Sequence, residues 1–512
     1  MENSPFPRLS NPVKFLFAMP SGPNRRKRFL AGLLAGYSAF GANLVYTLVS
    51  VPLALHYLSK SEFGLWALVT QIGSYLVLLD LGMTGSVARF LADHKDTMED
   101  GEYGSILRTG RLVFAVQSLT ILLIALAGAW LLPFLLDLPS ALIPAFKILL
   151  LGQGAIQSVS LFLRAESSPL WAHQRVDVTH WATSANLLTS LGAMAGGLGW
   201  GWGVYSFLFG AALGSLWSWF LPPIFCYHSH FIPTGTGRGD FRWNLFLRML
   251  KFGRDILLMQ LGGLLCSASP IILVTKILGL EAAAAYSIGT KALTMGQQVL
   301  GRIVESAAPG LTELYVRGER GRFATRFYQM TAISIALALT LGILLMGSNR
   351  IFVSVWTQGK VEWSSWGDLL IGAVLISTVA SRCFQGAFGM TGELIKIRHL
   401  SMLEGILLVL CSLALKGWGG VLGILGVVLL VNIFISLIGG GVQVARAIPA
   451  GFGGPKIVVF VLAVYSSCAF ASWWVGHVCA SPAAPMITTI FLAMASGLFI
   501  SRKLIPFFQD GV

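Results

Sequence analysis

Charge is what this chain has least of. Asp, Glu, Lys and Arg make up only 11% of its 512 residues, against about 25% in an ordinary soluble domain. Cysteine is also sparse. Cys226, Cys266, Cys383, Cys411, Cys468 and Cys479 are scattered, mostly within apolar stretches, and form no CxxC pair. That excludes a disulfide framework or a cysteine metal site, and leaves buried apolar filler as their use. No GK[ST] phosphate loop occurs, so ATP hydrolysis by that route is excluded. The glycines of GTGRGD (Gly235 to Asp240) follow no predicted strand, so they are neither a phosphate loop nor a dinucleotide fingerprint, and the RGD within them is a chance match. His228 and His230 have no carboxylate or cysteine arranged around them and read as loop residues. Acidic or His–Asp clusters at a lipid boundary, expected of membrane glycosyl- and acyltransferases, are missing, and so are long outer loops. The expectation is a protein that is not an enzyme and holds no metal.

Apolar residues fill the gap: 55% of the chain is hydrophobic and the mean hydropathy is +0.74. A bilayer crossing takes about 20 apolar residues as a helix, whereas barrel strands alternate over roughly ten. The runs here are long and continuous, so the fold class expected is an all-α polytopic membrane protein. Fourteen segments are read, at about 29–55, 63–87, 112–136, 141–163, 181–199, 203–225, 253–275, 281–305, 327–347, 367–390, 400–416, 420–442, 457–478 and 484–501; merging or losing a weak pair would give twelve. Pro52 near the outer end of the first allows a kink there.

Alternating the loops tests the count. One side then holds only Lys60, Lys147, Lys276, Arg350, Lys360 and Lys416 of the 36 Lys and Arg, and nearly all the others fall on the opposite side. A wrong count would scramble that contrast. By the positive-inside rule both termini are cytoplasmic, with RRKR (Arg25 to Arg28) anchoring the first span. The net charge of +14 then reflects retention at an anionic membrane surface and not nucleic-acid binding. The apolar patch before RRKR is too short for the core of a cleavable signal peptide.

LSKSEFGLWALVTQ (Leu58 to Gln71) and LGLEAAAAYSIGTKAL (Leu278 to Leu293) each place a short outer turn and a Glu before a small-residue helix start. They hint at a duplication. The division expected is a cytoplasmic tail 1–28, an N-lobe 29–225, a cytoplasmic linker loop 226–252, a C-lobe 253–447, two further spans within 457–502 and a tail 503–512. Repeated six-helix halves are a common transporter plan.

Polar residues inside spans are costly, about 2.5–3.5 kcal/mol for a charge at the bilayer centre on insertion scales. Ser287, Lys291, Thr294, Gln298, Arg302 and Glu305 are spaced by 4, 3, 4, 4 and 3 residues, one stripe of a helix. Lys291 lies ten residues from Glu281, about 15 Å deep. Other spans repeat the pattern with Asn43, Thr47 and Ser50; Thr70, Ser74, Asp80 and Thr84; Gln153, Gln157 and Ser160; Gln260 and Ser267; and Thr378, Arg382 and Gln385. Asp80 stands out because no charge occurs between Phe63 and Leu79. Such faces can share one solvent-filled cavity. The competing reading is that they bond between helices and hold the bundle together, which suits the Ser, Thr and Gly positions best. Cavity candidates are Lys291, Arg382, Asp80, Asn43, Gln298, Gln385 and Gln260. Arg89, Arg254, Arg302 and Glu305 lie near the cytoplasmic interface, where snorkelling or anchoring explains them, and are candidates for a cytoplasmic mouth. On a regular helix Asp80 lies about 13 Å from Arg89, so its partner is sought on another helix or in cavity water.

At VPLALHYLSKSEFGLWALVTQIGSYLVLLDLGMTGSVARFLAD (Val51 to Asp93) the chain resembles the O-antigen type polysaccharide flippases of the MOP exporter superfamily, relatives of the multidrug and toxin extruders (MATE) and of the lipid II flippase. The matching elements are the proline of VPL, the turn YLSKSEFGLW and the helix end LLDLG…ARF. The resemblance implies two six-helix lobes around a central cavity that opens alternately to each face. It implies transfer of a polyprenyl-diphosphate-linked oligosaccharide to the outer leaflet of the cytoplasmic (inner) membrane during lipopolysaccharide-type synthesis. No cofactor is implied beyond coupling to an H+ or Na+ gradient. Expected partners are the lipid-linked oligosaccharide, membrane lipids and other polysaccharide-assembly proteins. Lys291 and Arg382 would face the anionic diphosphate or acidic sugars, with Asp80 pairing to one of them or taking up a proton. The alternatives are a MATE-like drug or metabolite exporter, which would favour an acidic cavity, an integral-membrane glycan-assembly enzyme such as a polymerase, and a scaffold without transport.

Overall fold

The computed structural model describes residues 25–95, 101–233, 239–415 and 417–448. The expected spans 457–478 and 484–501, both tails, Cys468 and Cys479 lie outside the described residues. All regular structure among the described residues is helical. The helices are α1 (Arg25–Tyr57), α2 (Lys60–Leu76), α3 (Met83–Asp93), α4 (Glu102–Leu135), α5 (Ile143–Phe162), the short α6 (Arg164–Ser167) and α7 (Pro169–Ala172), α8 (Val176–Gly199), α9 (Tyr205–His228), α10 (Trp243–Ser267), α11 (Ser269–Leu278), α12 (Leu280–Gly289), α13 (Lys291–Val316), α14 (Arg320–Trp356), α15 (Ser365–Thr391), α16 (Leu394–Ala414), α17 (Gly420–Val431) and α18 (Gly440–Ala447). A π-helical stretch, Asn432–Gly439, joins the last two.

Helix occupies each of the first twelve intervals read from the sequence. Nine helical spans among the described residues are long and apolar enough to cross a membrane, and a tenth arises if α10 and α11, bent by 40°, count as one. The protein is thus a multi-pass membrane protein. The helices at 176–199 and 280–316 are not among those nine. In the second, Lys291, Arg302, Glu305 and Glu313 interrupt the apolar run. Exposed side chains separate into two kinds. Leu119, Leu123, Trp130, Leu131 and Phe134 line the outside of α4, a surface suited to lipid. Gln260, Thr294, Gln298, Arg302 and Arg382 are equally exposed, and the cost of placing such groups in hydrocarbon assigns them to water.

Two compact units emerge, and they interleave along the chain. Among the described residues, the first comprises those within 25–58, 76–134 and 139–257, and the second those within 59–75, 135–138 and 258–448. In the first, α8 packs on α9 and α1, and α9 on α5. In the second, α15 is the hub, packed on α13, α14, α17 and the π-helical stretch, and it is the most buried of the candidate spans. Ser364 caps its start by accepting from Trp366 N, and Gly392, with φ +80°, ends it.

The second interval is not the regular helix expected at 63–87. After α2 the chain tightens into a 3₁₀ turn at Val77–Asp80, passes through left-handed Leu81 (φ 51°) and Gly82 (φ 71°), and restarts as α3. Glycine is required at position 82 because a Cβ there would overlap the Gly253 carbonyl of α10. The eighth interval also breaks, at Thr290, so Ser287 belongs to α12 and the polar stripe begins at Lys291.

Candidate functional site

Asp80 ends the 3₁₀ turn, and its carboxylate is spent locally. It is 5% exposed. Its Oδ1 accepts from Thr84 N (3.1 Å) and Thr84 Oγ1 (2.7 Å), which caps the start of α3. The Asp80 backbone carbonyl, freed by the break, accepts from Gln117 Nε2 of α4 (3.1 Å). Arg164 completes the group, donating to Thr84 Oγ1 (3.5 Å) within electrostatic reach of Asp80. The hydrogen-bond partners of Asp80 are thus on the helix that follows the turn and, through its backbone carbonyl, on α4. The regular helix expected here fails at Leu81–Gly82, and the next helical turn supplies the hydrogen bonds.

Arg164 also lines a cavity of about 480 Å³ contained within the first unit. Its walls come from α1, α5, α8 and α9, and the polar stripe read as Gln153, Gln157 and Ser160 is one of them. Trp219 Nε1 donates to Ser160 Oγ (2.8 Å). Asn186 donates to Ser218 Oγ (3.1 Å) and accepts from Ser190 Oγ (3.1 Å). Below the cavity, Arg111 of α4 grips Glu166 in a bidentate pair (2.6 and 2.8 Å), and Tyr227 of α9 donates to the same carboxylate (3.1 Å). Asn43 is half-buried on α1. Arg89 is exposed and paired to Asp93 (3.5 Å), and Arg254 is exposed on α10.

In the second unit the stripe on α13 is real from Lys291 onward. Thr294, Gln298, Arg302 and Glu305 share an exposed face, while Leu293, Gly296 and Leu300 are buried. Lys291 is half-buried, and among the described residues its ammonium has neither ion pair nor hydrogen bond. Arg382 of α15 donates to the Gln297 carbonyl (3.3 Å), and Gln297 Nε2 donates to Thr378 Oγ1 (3.0 Å). Since Gln297 is six residues from Lys291, Arg382 meets α13 about 9 Å along the axis from it. Arg302 and Glu305 pair with each other (3.0 Å). Gln260 is exposed on α10.

Glu404 escaped the sequence reading. It is buried on α16, where Asn432 Nδ2 (2.7 Å) and Ser436 Oγ donate to its two oxygens. Ser436 also accepts from Gln385 (3.4 Å), and Asn432 from Ser381 (3.3 Å). The structure therefore ties Gln385, a cavity candidate, to a buried carboxylate network. Among the described residues no three His, Cys, Asp or Glu side chains gather as a metal site.

The profile of the family described as "Polysaccharide biosynthesis protein" matches residues 31–314. No curated protein sequence matches the chain. Solved structures do. The lipid II flippase MurJ, in an inward closed conformation, superposes with a TM-score of 0.65 at 11% identity, covering 93% of this chain and 99% of that one. An inward-facing multidrug resistance MATE family transporter of the MOP superfamily gives 0.62 at 13% identity, over 78% and 94%. A MOP superfamily transporter from Pyrococcus furiosus, described by a reversed polarity of its binding pocket, gives 0.55 at 13% identity, over 85% and 98%. These likenesses establish the fold.

Proposed function

The chain belongs to the polysaccharide biosynthesis protein family, and from that membership we propose that it is a flippase, moving a polyprenyl-diphosphate-linked oligosaccharide from the cytoplasmic to the outer leaflet by alternating access. The observation that carries this reading is Lys291. Its ammonium begins α13 on the polar face of a helix in an otherwise charge-poor chain, and no counter-ion is spent on it. An unpaired cation partly withdrawn from water is kept at a cost, and a diphosphate is the anion that lipid-linked glycans carry. Arg382, on the neighbouring α15 and water-exposed, supplies a second cation along the same helix pair. Gln298 and Gln260 add neutral donors on exposed faces. A drug exporter that collects organic cations would be opposed by both charges.

The test is export in cells. A charge-assisted contact is worth about 1.5–3 kcal/mol, roughly a tenfold or greater loss. Lys291→Ala is expected to lower surface glycan by that factor while inserting normally, with lipid-linked oligosaccharide accumulating, and Lys291→Arg is expected to restore part of it. Wild-type export by Lys291→Ala removes the anion-binding role.

A further inference from the structure

The cavity walled by α5, α8 and α9 has chemistry specific enough to name a ligand class. We propose that it is a saccharide subsite on the translocation path, receiving an uncharged pyranose of the glycan; this rests on the flippase reading above. The lining keeps hydrogen-bonding capacity in reserve. Among the described residues the side-chain amides of the lining residues Gln153 and Gln157 and the Tyr46 hydroxyl make no hydrogen bond. An amide offers two donors and an acceptor with two lone pairs, the match for neighbouring sugar hydroxyls that each donate and accept.

Shape and charge narrow the class further. Trp219 is fixed by its bond to Ser160, and with Tyr46 it gives the lining an aromatic surface with polar tips, suited to the C–H face of a pyranose. Among the described residues Arg164 is the one charged group in the lining, and Asp80 lies in its field. The other polar groups of the lining are neutral amides and hydroxyls, which match the hydroxyls of an uncharged sugar. A volume of about 480 Å³ falls within the range of about 300–1,000 Å³ of small-ligand pockets, room for a short saccharide and not for a whole glycan chain. Neutral hydrogen bonds also suit a carrier, which must release what it binds.

The test uses the full-length protein in lipid nanodiscs and saturation-transfer NMR. The probes are the methyl glycosides of glucose, galactose and N-acetylglucosamine, with glucuronic acid as the charged comparison. At least one neutral glycoside is expected to bind at millimolar concentration, about tenfold weaker in Gln153→Leu and Gln157→Leu. Gln157→Met, unbranched and of similar length, serves where the leucine variant does not fold. Absence of binding by any neutral glycoside, equal binding by the apolar variants, or preference for glucuronic acid overturns the proposal. Lipid-linked saccharide in cells lacking the protein separates the two readings. Accumulation without glycoside binding leaves the flippase and removes the subsite. Glycoside binding without accumulation removes the flippase, and with it the subsite's place on a path.

Discussion

At residue scale, Asp80 shows how a charge inside an apolar run can be held by hydrogen bonds to the residues that follow it. Its carboxylate takes a backbone N–H and a hydroxyl from Thr84, and Gln117 takes up the carbonyl that the break releases. Capping interactions are worth about 1 kcal/mol, with a range of about 0.5–2. Asp80→Ala is therefore expected to lower stability by about 1–2 kcal/mol in thermal unfolding followed by circular dichroism in detergent. Asp80→Asn keeps an acceptor oxygen and is expected to lose less than half of that, with export retained; a well-folded Asp80→Asn that fails to export would give the charge itself a part in the cycle. Two residues on, Gly82 answers to both its left-handed φ and the Gly253 carbonyl. A left-handed non-glycine residue costs about 1–2 kcal/mol before any overlap, so Gly82→Ala is expected to destabilise more than Asp80→Ala in the same measurement.

Element by element, helices were legible where the chain repeats a period and hidden where a helix stops without a strong breaker. The stripe Lys291, Thr294, Gln298, Arg302 and Glu305 was readable because each spacing is three or four and α13 remains helical through all of them. The interruption at Thr290 was not, since GTKA resembles continuing helix. At Leu81–Gly82 the glycine permits close packing or bending, but LVLLDLG is apolar on either side, and the backbone that approaches Gly82, at Gly253, lies 171 residues away in sequence. Glu404 was missed for a related reason: its partners sit 28 and 32 residues further on, on a π-helical stretch whose wider turn no 3.6-residue pattern anticipates. Charged hydrogen bonds contribute about 1.5–3 kcal/mol each. Glu404→Ala strips Asn432 and Ser436 of their acceptor and is expected to destabilise by about 3 kcal/mol or more in detergent unfolding, whereas Glu404→Gln, which keeps one acceptor, is expected to lose about half as much. Equal stability of the alanine variant would mean that water replaces the carboxylate.

For the whole molecule, composition and charge asymmetry fixed the class, an all-helical membrane protein, while the grouping of its helices depended on contacts that no local pattern carries. Ser59–Tyr75 joins the described residues from 258 to 448 in one compact unit, where the two similar helix starts meet: Ser59 and Glu62 form a capping box, Ser61 donates to Glu281 (3.4 Å), and a Cβ at Gly64 would overlap the Leu280 carbonyl. Orientation in the membrane follows from charge. α14 runs 37 residues, about 55 Å, far beyond the roughly 30 Å hydrocarbon core, so its two ends reach opposite aqueous phases. By the positive-inside rule the end bearing Arg317, Arg320, Arg322 and Arg326 is expected in the cytoplasm, and the end near Glu362 outside. With native cysteines replaced by serine, a membrane-impermeant maleimide on intact cells is expected to label Glu362→Cys at once and Arg322→Cys only after permeabilisation. Labelling of Arg322→Cys on intact cells would invert every loop assignment together, since one helix fixes the parity of its neighbours. It would also reverse the direction in which Lys291, on α13, is approached from the cytoplasm.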